Sequence, residues 1–166
     1  MPRSVGLLAS LAGAGLQLIA YPLFAALSDR LGRRPVTVAG AIGAAVWMFA
    51  FFGLVDTRNT GLVVLAVLVG LLCHAAMYGV QASWICELFQ TRYRYSGASL
   101  GYQLSGIVGG SLAPAIAVWL LRTFHSTVPI QLYVAFGCVV VAATAMVTRE
   151  TKGADLARAG ERETVV

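Results

Sequence analysis

The chain has 166 residues, 58% hydrophobic and 11% charged, with a formal net charge of +5. A soluble domain carries about 25% charged residues, so this composition, with a mean hydropathy of +0.79, excludes an ordinary water-soluble fold. The positive balance does not indicate nucleic acid, because Lys and Arg lie in short clusters between apolar runs and form no basic face or binding motif.

Five segments are long and apolar enough to cross a bilayer, which takes about 20 residues: roughly 7–27, 36–55, 61–88, 96–121 and 128–147. The predicted fold is therefore all-α, a polytopic membrane protein with a transmembrane domain over 1–147. The connections are short: 28–35, 56–60, 89–95 and 122–127. A polar tail, 148–166, is expected to fray on the cytoplasmic side. The first apolar run is too long for the core of a signal peptide, and the dense charge after it resembles a membrane stop.

Basic residues divide unequally between the two sides. Arg30, Arg33, Arg34, Arg92, Arg94, Arg149, Lys152, Arg158 and Arg162 fall on one, and Arg3, Arg58 and Arg122 on the other. The positive-inside rule places the first group in the cytoplasm, with the N-terminus outside and the C-terminus inside. An odd number of spans requires the same.

Polar residues concentrate in three spans. The first carries Gln17 and Tyr21, one helical turn apart. The third carries His74, Tyr78 and Gln81 on one face, at i, i+4 and i+7. The fourth carries Tyr102, Gln103 and Ser105. Polar groups inside a membrane face protein or water, so spans one, three and four are expected to line a polar cavity, and spans two and five to face lipid. Tyr and Gln are equally ordinary interhelical glue. His74 is the ionisable residue deepest in a span; an ordinary imidazole pKa of about 6.5 suits proton coupling, and a neutral ring bonded to a neighbouring helix is the plainer alternative.

The fourth span also repeats small residues every four positions: Gly97, Gly101, Ser105, Gly109 and Ala113. Such spacing lets helix backbones approach closely. Pro114 removes one backbone hydrogen bond, and a kink is expected there. Cys73, Cys86 and Cys138 lie in or at the ends of apolar runs without metal-ligand spacing, and read as small apolar residues. No carboxylate pair, nucleophile with a base or metal spacing supports an enzyme, and nothing calls for a cofactor.

Asp29-Arg30-Leu31-Gly32-Arg33-Arg34 resembles the cytoplasmic signature of the major facilitator superfamily, with Ala25 where that pattern begins with Gly. A second match runs from Tyr78-Gly79-Val80-Gln81-Ala82 through Glu87, Arg92 and Arg94 to Gln103, and is most similar to the metabolite:proton symporter branch, although Val80 and Gln90 stand where that pattern has Pro. Glu150-Thr151-Lys152-Gly153-Ala154-Asp155 resembles the tail after the twelfth helix. The resemblance places the five spans as helices eight to twelve of about twelve, and implies a C-terminal portion of a secondary transporter in the bacterial inner membrane. Its implied partners are a small polar metabolite or organic acid, protons, the lipid bilayer and a chain supplying the remaining helices; nucleic acid is not among them. It further implies that Asp29, Arg30, Gly32, Arg33, Arg34, Glu87, Arg92 and Arg94 form a gate, with Asp29 and Arg33 or Arg34 pairing with Glu87 and Arg92 or Arg94. Two other readings stay open: a non-transporting membrane protein that binds other helices, and an inactive gene fragment.

Overall fold

The computed structural model describes residues 3–89 and 92–152; of Arg3, Ser4, Val5 and Val108 it describes the backbone alone. Gln90, Thr91 and the tail from Gly153 onward, with Asp155, Arg158 and Arg162, lie outside the described residues. The described chain is helical: α1 (Arg3–Leu31), α2 (Arg33–Asp56), α3 (Thr60–Leu88), α4 (Arg94–Ser105), a π-helical segment (Gly106–Ser111), α5 (Leu112–Phe124) and α6 (Val128–Val147). Because α4, the π-helical segment and α5 follow one another without a break, the described residues form five helices long and apolar enough to cross a membrane. Leu18, Val46 and Phe136 are exposed, as lipid-facing residues are when no lipid surrounds them.

The ends of these helices follow local chemistry. Asn59 caps α3, its side-chain oxygen accepting from the N–H groups of Gly61 (2.9 Å) and Leu62 (3.4 Å). Helix α5 ends on His125 in the left-handed region, whose N–H returns to the Leu121 carbonyl at 3.0 Å. The predicted eight-residue connection between the first two spans shrinks to one residue. Gly32 stands between α1 and α2 with φ 117° and ψ 155°, a region essentially restricted to glycine. A side chain there would also meet a Glu150 carboxylate oxygen at 3.0 Å and Pro35 Cδ at 3.3 Å.

Helix α3 packs between α1 and α2, and α2 packs between α3 and α6. Glycines set the close approaches. A Cβ on Gly79 of α3 would lie 2.8 Å from the Tyr21 carbonyl oxygen of α1; a Cβ on Gly40 of α2 would lie 3.0 Å from Ala76 Cβ and 3.2 Å from the Cys73 carbonyl oxygen of α3. The small apolar core, Val36, Val80, Trp84 and Ala145, sits beside the charged helix ends.

Two expectations need correction here. Helix α2 turns Ile42, Val46 and Phe49 outward, yet it presents its polar groups to α3, with Trp47 Nε1 donating to the Ala66 carbonyl at 3.0 Å. Helix α6 also walls a groove of about 460 Å³ against α3, so it does more than face lipid. The irregularity of the fourth span lies one turn before Pro114. The proline has no N–H for the Gly110 carbonyl and its ring crowds that carbonyl, and the wider π-turn over Gly106–Ser111 falls at that point. Neither α4 nor α5 contains a buried residue. Of the predicted small-residue stripe, Gly97 lies against the Phe89 ring, whereas a Cβ on Gly101 or Gly109 would meet nothing within 4 Å.

These contacts predict opposite outcomes for two identical substitutions. Gly79→Ala pushes a methyl into a backbone carbonyl and is expected to lower stability by about 1–3 kcal/mol. Gly101→Ala enters open space and is expected to be neutral or stabilising by up to about 1 kcal/mol, through helix propensity. Thermal unfolding of the detergent-solubilised variants, followed by circular dichroism, measures both.

Candidate functional site

Two polar assemblies stand out, one at the charged helix ends and one within the α1–α3 interface. The first centres on Arg33, whose side chain is 9% exposed. Its Nη1 lies 2.7 Å from Asp29 Oδ1 and also donates to Ser28 Oγ. Its Nη2 and Nε reach the two oxygens of Glu87 at 2.7 and 3.3 Å. A planar guanidinium fits a carboxylate in this two-pronged way. Ser28 relays the contact, donating to the Ala25 carbonyl at 2.7 Å. Glu87 is nearly as buried as Arg33, whereas Asp29 is 63% exposed. Removing one partner of a buried pair costs about 3–5 kcal/mol, while an exposed pair contributes about 0–1 kcal/mol. The Glu87 arm therefore dominates.

The second half of this joint comes from the far end of the chain. The first residues of the polar tail, Thr148 to Lys152, reach this joint. Glu150 accepts from the backbone N–H groups of Arg33 and Arg34, 2.9 Å each, one on each carboxylate oxygen. Gly32 has no side chain to cap α2, and Glu150 caps it from 117 residues away. The negative charge also meets the positive end of the helix dipole. The buried Thr151 donates to Glu87, Arg34 Nε donates to the Thr148 carbonyl, Lys152 Nζ donates to the Arg30 carbonyl, and Trp84 Nε1 donates to the Arg149 carbonyl at 3.2 Å. The ends of α1, α3 and α6 and the start of α2 are thereby tied together.

Of the residues expected at the gate, Asp29, Gly32, Arg33, Arg34 and Glu87 meet in this joint, and Arg30 joins through its carbonyl. Arg92 and Arg94 do not. Arg92 lies over the Tyr93 ring, 5.5 Å from its centroid. Arg94 faces a separate groove of about 490 Å³ with Cys86, Ser99, Tyr102 and Gln103. Sequence reasoning missed the roles of Glu150 and Thr151, which lie just past the last span and whose partners are remote in sequence.

The second assembly brings together four of the predicted cavity residues. Gln17 Nε2 lies 3.2 Å from His74 Nδ1. The Tyr78 ring stacks on His74 at 5.4 Å and 18° and meets Tyr21 at 5.4 Å, while Tyr21 and His74 stand edge to face at 6.4 Å. The approach at Gly79 brings α1 and α3 close enough for this. Gln81 lines the α3–α6 groove together with His74 and Tyr78. Tyr102 and Gln103 lie apart from the cluster, in the Arg94 groove.

The Glu150 carboxylate makes a measurable prediction. Partial burial is the largest single influence on it and pushes its pKa up, but four backbone N–H donors, from Arg34, Arg33, Lys152 and Thr151, together pull it below the ordinary glutamate value. A lowered pKa in the folded state gives stability that is complete above the unfolded value and is lost as pH falls through the folded one. The stability difference between the native chain and Glu150→Gln should be flat from about pH 6 to 8 and shrink below about pH 4. Melting temperatures across that range in detergent measure it.

The whole chain is accounted for by one family. A family model described as Major Facilitator Superfamily matches residues 2–165. The shikimate transporter of Escherichia coli (strain K12) is 33% identical over 159 residues, 93% of this chain and 36% of that protein. The inner membrane metabolite transport protein YhjE of the same organism is 32% identical, over 81% of this chain and 30% of its own length. Its proline/betaine transporter is 30% identical, over 81% and 27%. The chain thus spans about a third of the length of these relatives. No solved structure matches the chain. With five membrane-length helices among the described residues, a charged joint carrying the signature residues and a family match over nearly its full length, the chain belongs to the Major Facilitator Superfamily and is a multi-pass membrane protein.

Proposed function

We propose that the chain forms the C-terminal part of a proton-coupled symporter for a small polar metabolite or organic acid, working by alternating access in the bacterial inner membrane with the charged joint on the cytoplasmic side. The observation that carries this reading is the Gln17–Tyr21–His74–Tyr78 cluster: polar and aromatic groups gathered between two apolar helices, with His74 and Tyr78 also facing a groove. Transporters of this superfamily hold substrate near the membrane midplane between two repeats that rock about it. Five helices supply one wall of such a path, and transport requires the remaining helices, in the same chain or a second one.

His74 has a physical route to proton coupling. A neutral imidazole can accept from the Gln17 amide at Nδ1, 3.2 Å away. Protonating it turns the acceptor into a donor, and the Gln17 amide must then present its oxygen. Proton uptake thus changes the α1–α3 contact directly. The charged joint biases the cycle at its other end, since each arm of Arg33 that is lost shifts the balance between closed and open by its own contribution. A second reading, a membrane protein that binds other helices without transporting, draws support from the open face of α4 and α5.

Uptake by cells expressing this chain, with and without a chain supplying the first seven helices of a shikimate-transporter relative, separates the two. Accumulation of shikimate, proline or betaine only in the co-expressing cells, driven by an inward proton gradient, is expected; no uptake in either would overturn the transport reading. Within an active pair, Glu87→Gln should slow uptake by about tenfold or more and Asp29→Asn by less than threefold, because their burial and hence their pairing energies differ in that order. His74→Gln should leave facilitated exchange intact and abolish the dependence on the proton gradient. Unimpaired gradient-driven uptake by that variant would remove His74 from the mechanism.

A further inference from the structure

Gly32 joins α1 to α2 at one end, and beyond it the two helices pack on α3 more than on each other. A groove of about 480 Å³ runs between them, with α3 as its floor. Leu27 and Leu31 of α1, Pro35 and Ala39 of α2, and Leu72 and Ala76 of α3 line it. None of its lining residues carries a charge, an amide or a hydroxyl. Leu27, Leu31, Ala39 and Leu72 are exposed, so the groove opens outward, where the bilayer lies. Its depth matches one leaflet. Leu72 stands fifteen residues before Glu87 on α3, about 22 Å at the helical rise, and Glu87 belongs to the charged joint. Half of a hydrocarbon core is about 15 Å. The mouth of the groove is basic. Leu31 directly follows Arg30, and Pro35 directly follows Arg34. Lys152 Nζ is held at the Arg30 carbonyl, on the last turn of α1. The acids of this end are engaged elsewhere: Asp29 and Glu87 hold Arg33, and Glu150 caps α2. Among the described residues, the ion pairs between side chains are those of Arg33, which leaves Arg30, Arg34 and Lys152 without one.

We propose that this groove holds an acyl chain of an anionic phospholipid, whose phosphate rests on Arg30 and Lys152 at the mouth. An acyl chain walled by three helices meets more partner atoms than one on a flat helix face, and the summed dispersion contacts hold it there. A chain lying along the groove carries its own phosphate to the basic end. Lys and Arg beside a membrane span attract anionic headgroups, and basic pockets between spans bind them. A guanidinium also donates to two phosphate oxygens at once. A zwitterionic headgroup brings a cation to the same place and gains less. The apolar walls thus select hydrocarbon, and the mouth selects the sign of the headgroup. Lys152 belongs to the segment that caps α2 through Glu150 and bonds Glu87 through Thr151, so the lipid touches the segment that closes the charged joint. The site faces the bilayer, away from the Gln17–His74 contact, and does not depend on the transport reading.

The test uses the full chain in nanodiscs that contain a trace of phosphatidylglycerol or phosphatidylcholine, each with a photoreactive diazirine midway along one acyl chain. Mass spectrometry of the irradiated protein maps the labelled residues. Phosphatidylglycerol is expected to label Leu27, Ala39 and Leu72 about fivefold or more above the outward residues Val46 and Phe136, and about fivefold or more above phosphatidylcholine at the same positions, since each basic residue at a membrane surface contributes a factor of about five. Arg30→Gln combined with Lys152→Gln should remove the preference for phosphatidylglycerol and leave the acyl labelling of the groove in place. Ala39→Phe, at an exposed position, should fill the groove and bring its labelling down to the level of Val46. The charge variant changes exposed side chains alone, so it gives a reading even where Ala39→Phe lowers stability. Even labelling of the groove and the outward faces, which marks ordinary surrounding lipid, overturns the site. Equal labelling by the two lipids, or a preference that survives Arg30→Gln with Lys152→Gln, overturns the headgroup assignment and with it the proposal.

Discussion

Burying one guanidinium at the meeting point of several helix ends is the constraint on which the rest of this structure depends. In a bilayer the apolar faces of helices gain little by leaving lipid for one another, so association rests on close packing and on polar contacts. Here the described residues provide few deep contacts and a small core. Arg33 supplies what the core does not. It must be matched because it is nearly inaccessible, and its matching groups come from α1 and α3. The segment after α6 then closes the same assembly, by capping α2 through Glu150 and by bonding Glu87 through Thr151.

That arrangement explains why the sequence between α1 and α2 is so restricted. Ser28 must be small and carry a hydroxyl, because it stands between Arg33 and the Ala25 carbonyl. Gly32 must be glycine, for its backbone angles and for the nearness of Glu150. The residue before it ends one helix and the residue after it begins the next, so the motif is a joint between helix ends and scarcely a loop at all. Fixing that end leaves α1 and α3 aligned along their length, and the glycine contact at Gly79 then sets Tyr21, His74 and Tyr78 together.

The spans were legible because hydropathy and length fix them, and the charged motif because four charges in six residues between apolar runs have few other uses. The polar faces of α1 and α3 were legible from helical spacing, and their residues meet. What periodicity could not reveal is which face finds a partner. The regular small-residue stripe lies on α4, yet the close approaches fall at Gly79 and Gly40, isolated glycines without a repeat to mark them. Glu150 was beyond reach for a different reason: its partners lie 116 and 117 residues away, and no local pattern encodes a cap supplied by another helix end. Arg94 illustrates the converse. Its neighbours in sequence placed it with the gate, but the direction of α4 turns it toward Tyr102 and Gln103.

A double-mutant cycle on Arg33 and Glu87 tests the central claim most directly. Unfolding free energies of the detergent-solubilised chain would be compared for the native protein, Arg33→Gln, Glu87→Gln and the double variant. A buried, two-pronged pair that holds the helix ends together predicts a coupling of about 2 kcal/mol or more. A coupling below about 0.5 kcal/mol, the level of independent surface sites, would contradict it and would return the charged motif to a simple role in membrane orientation.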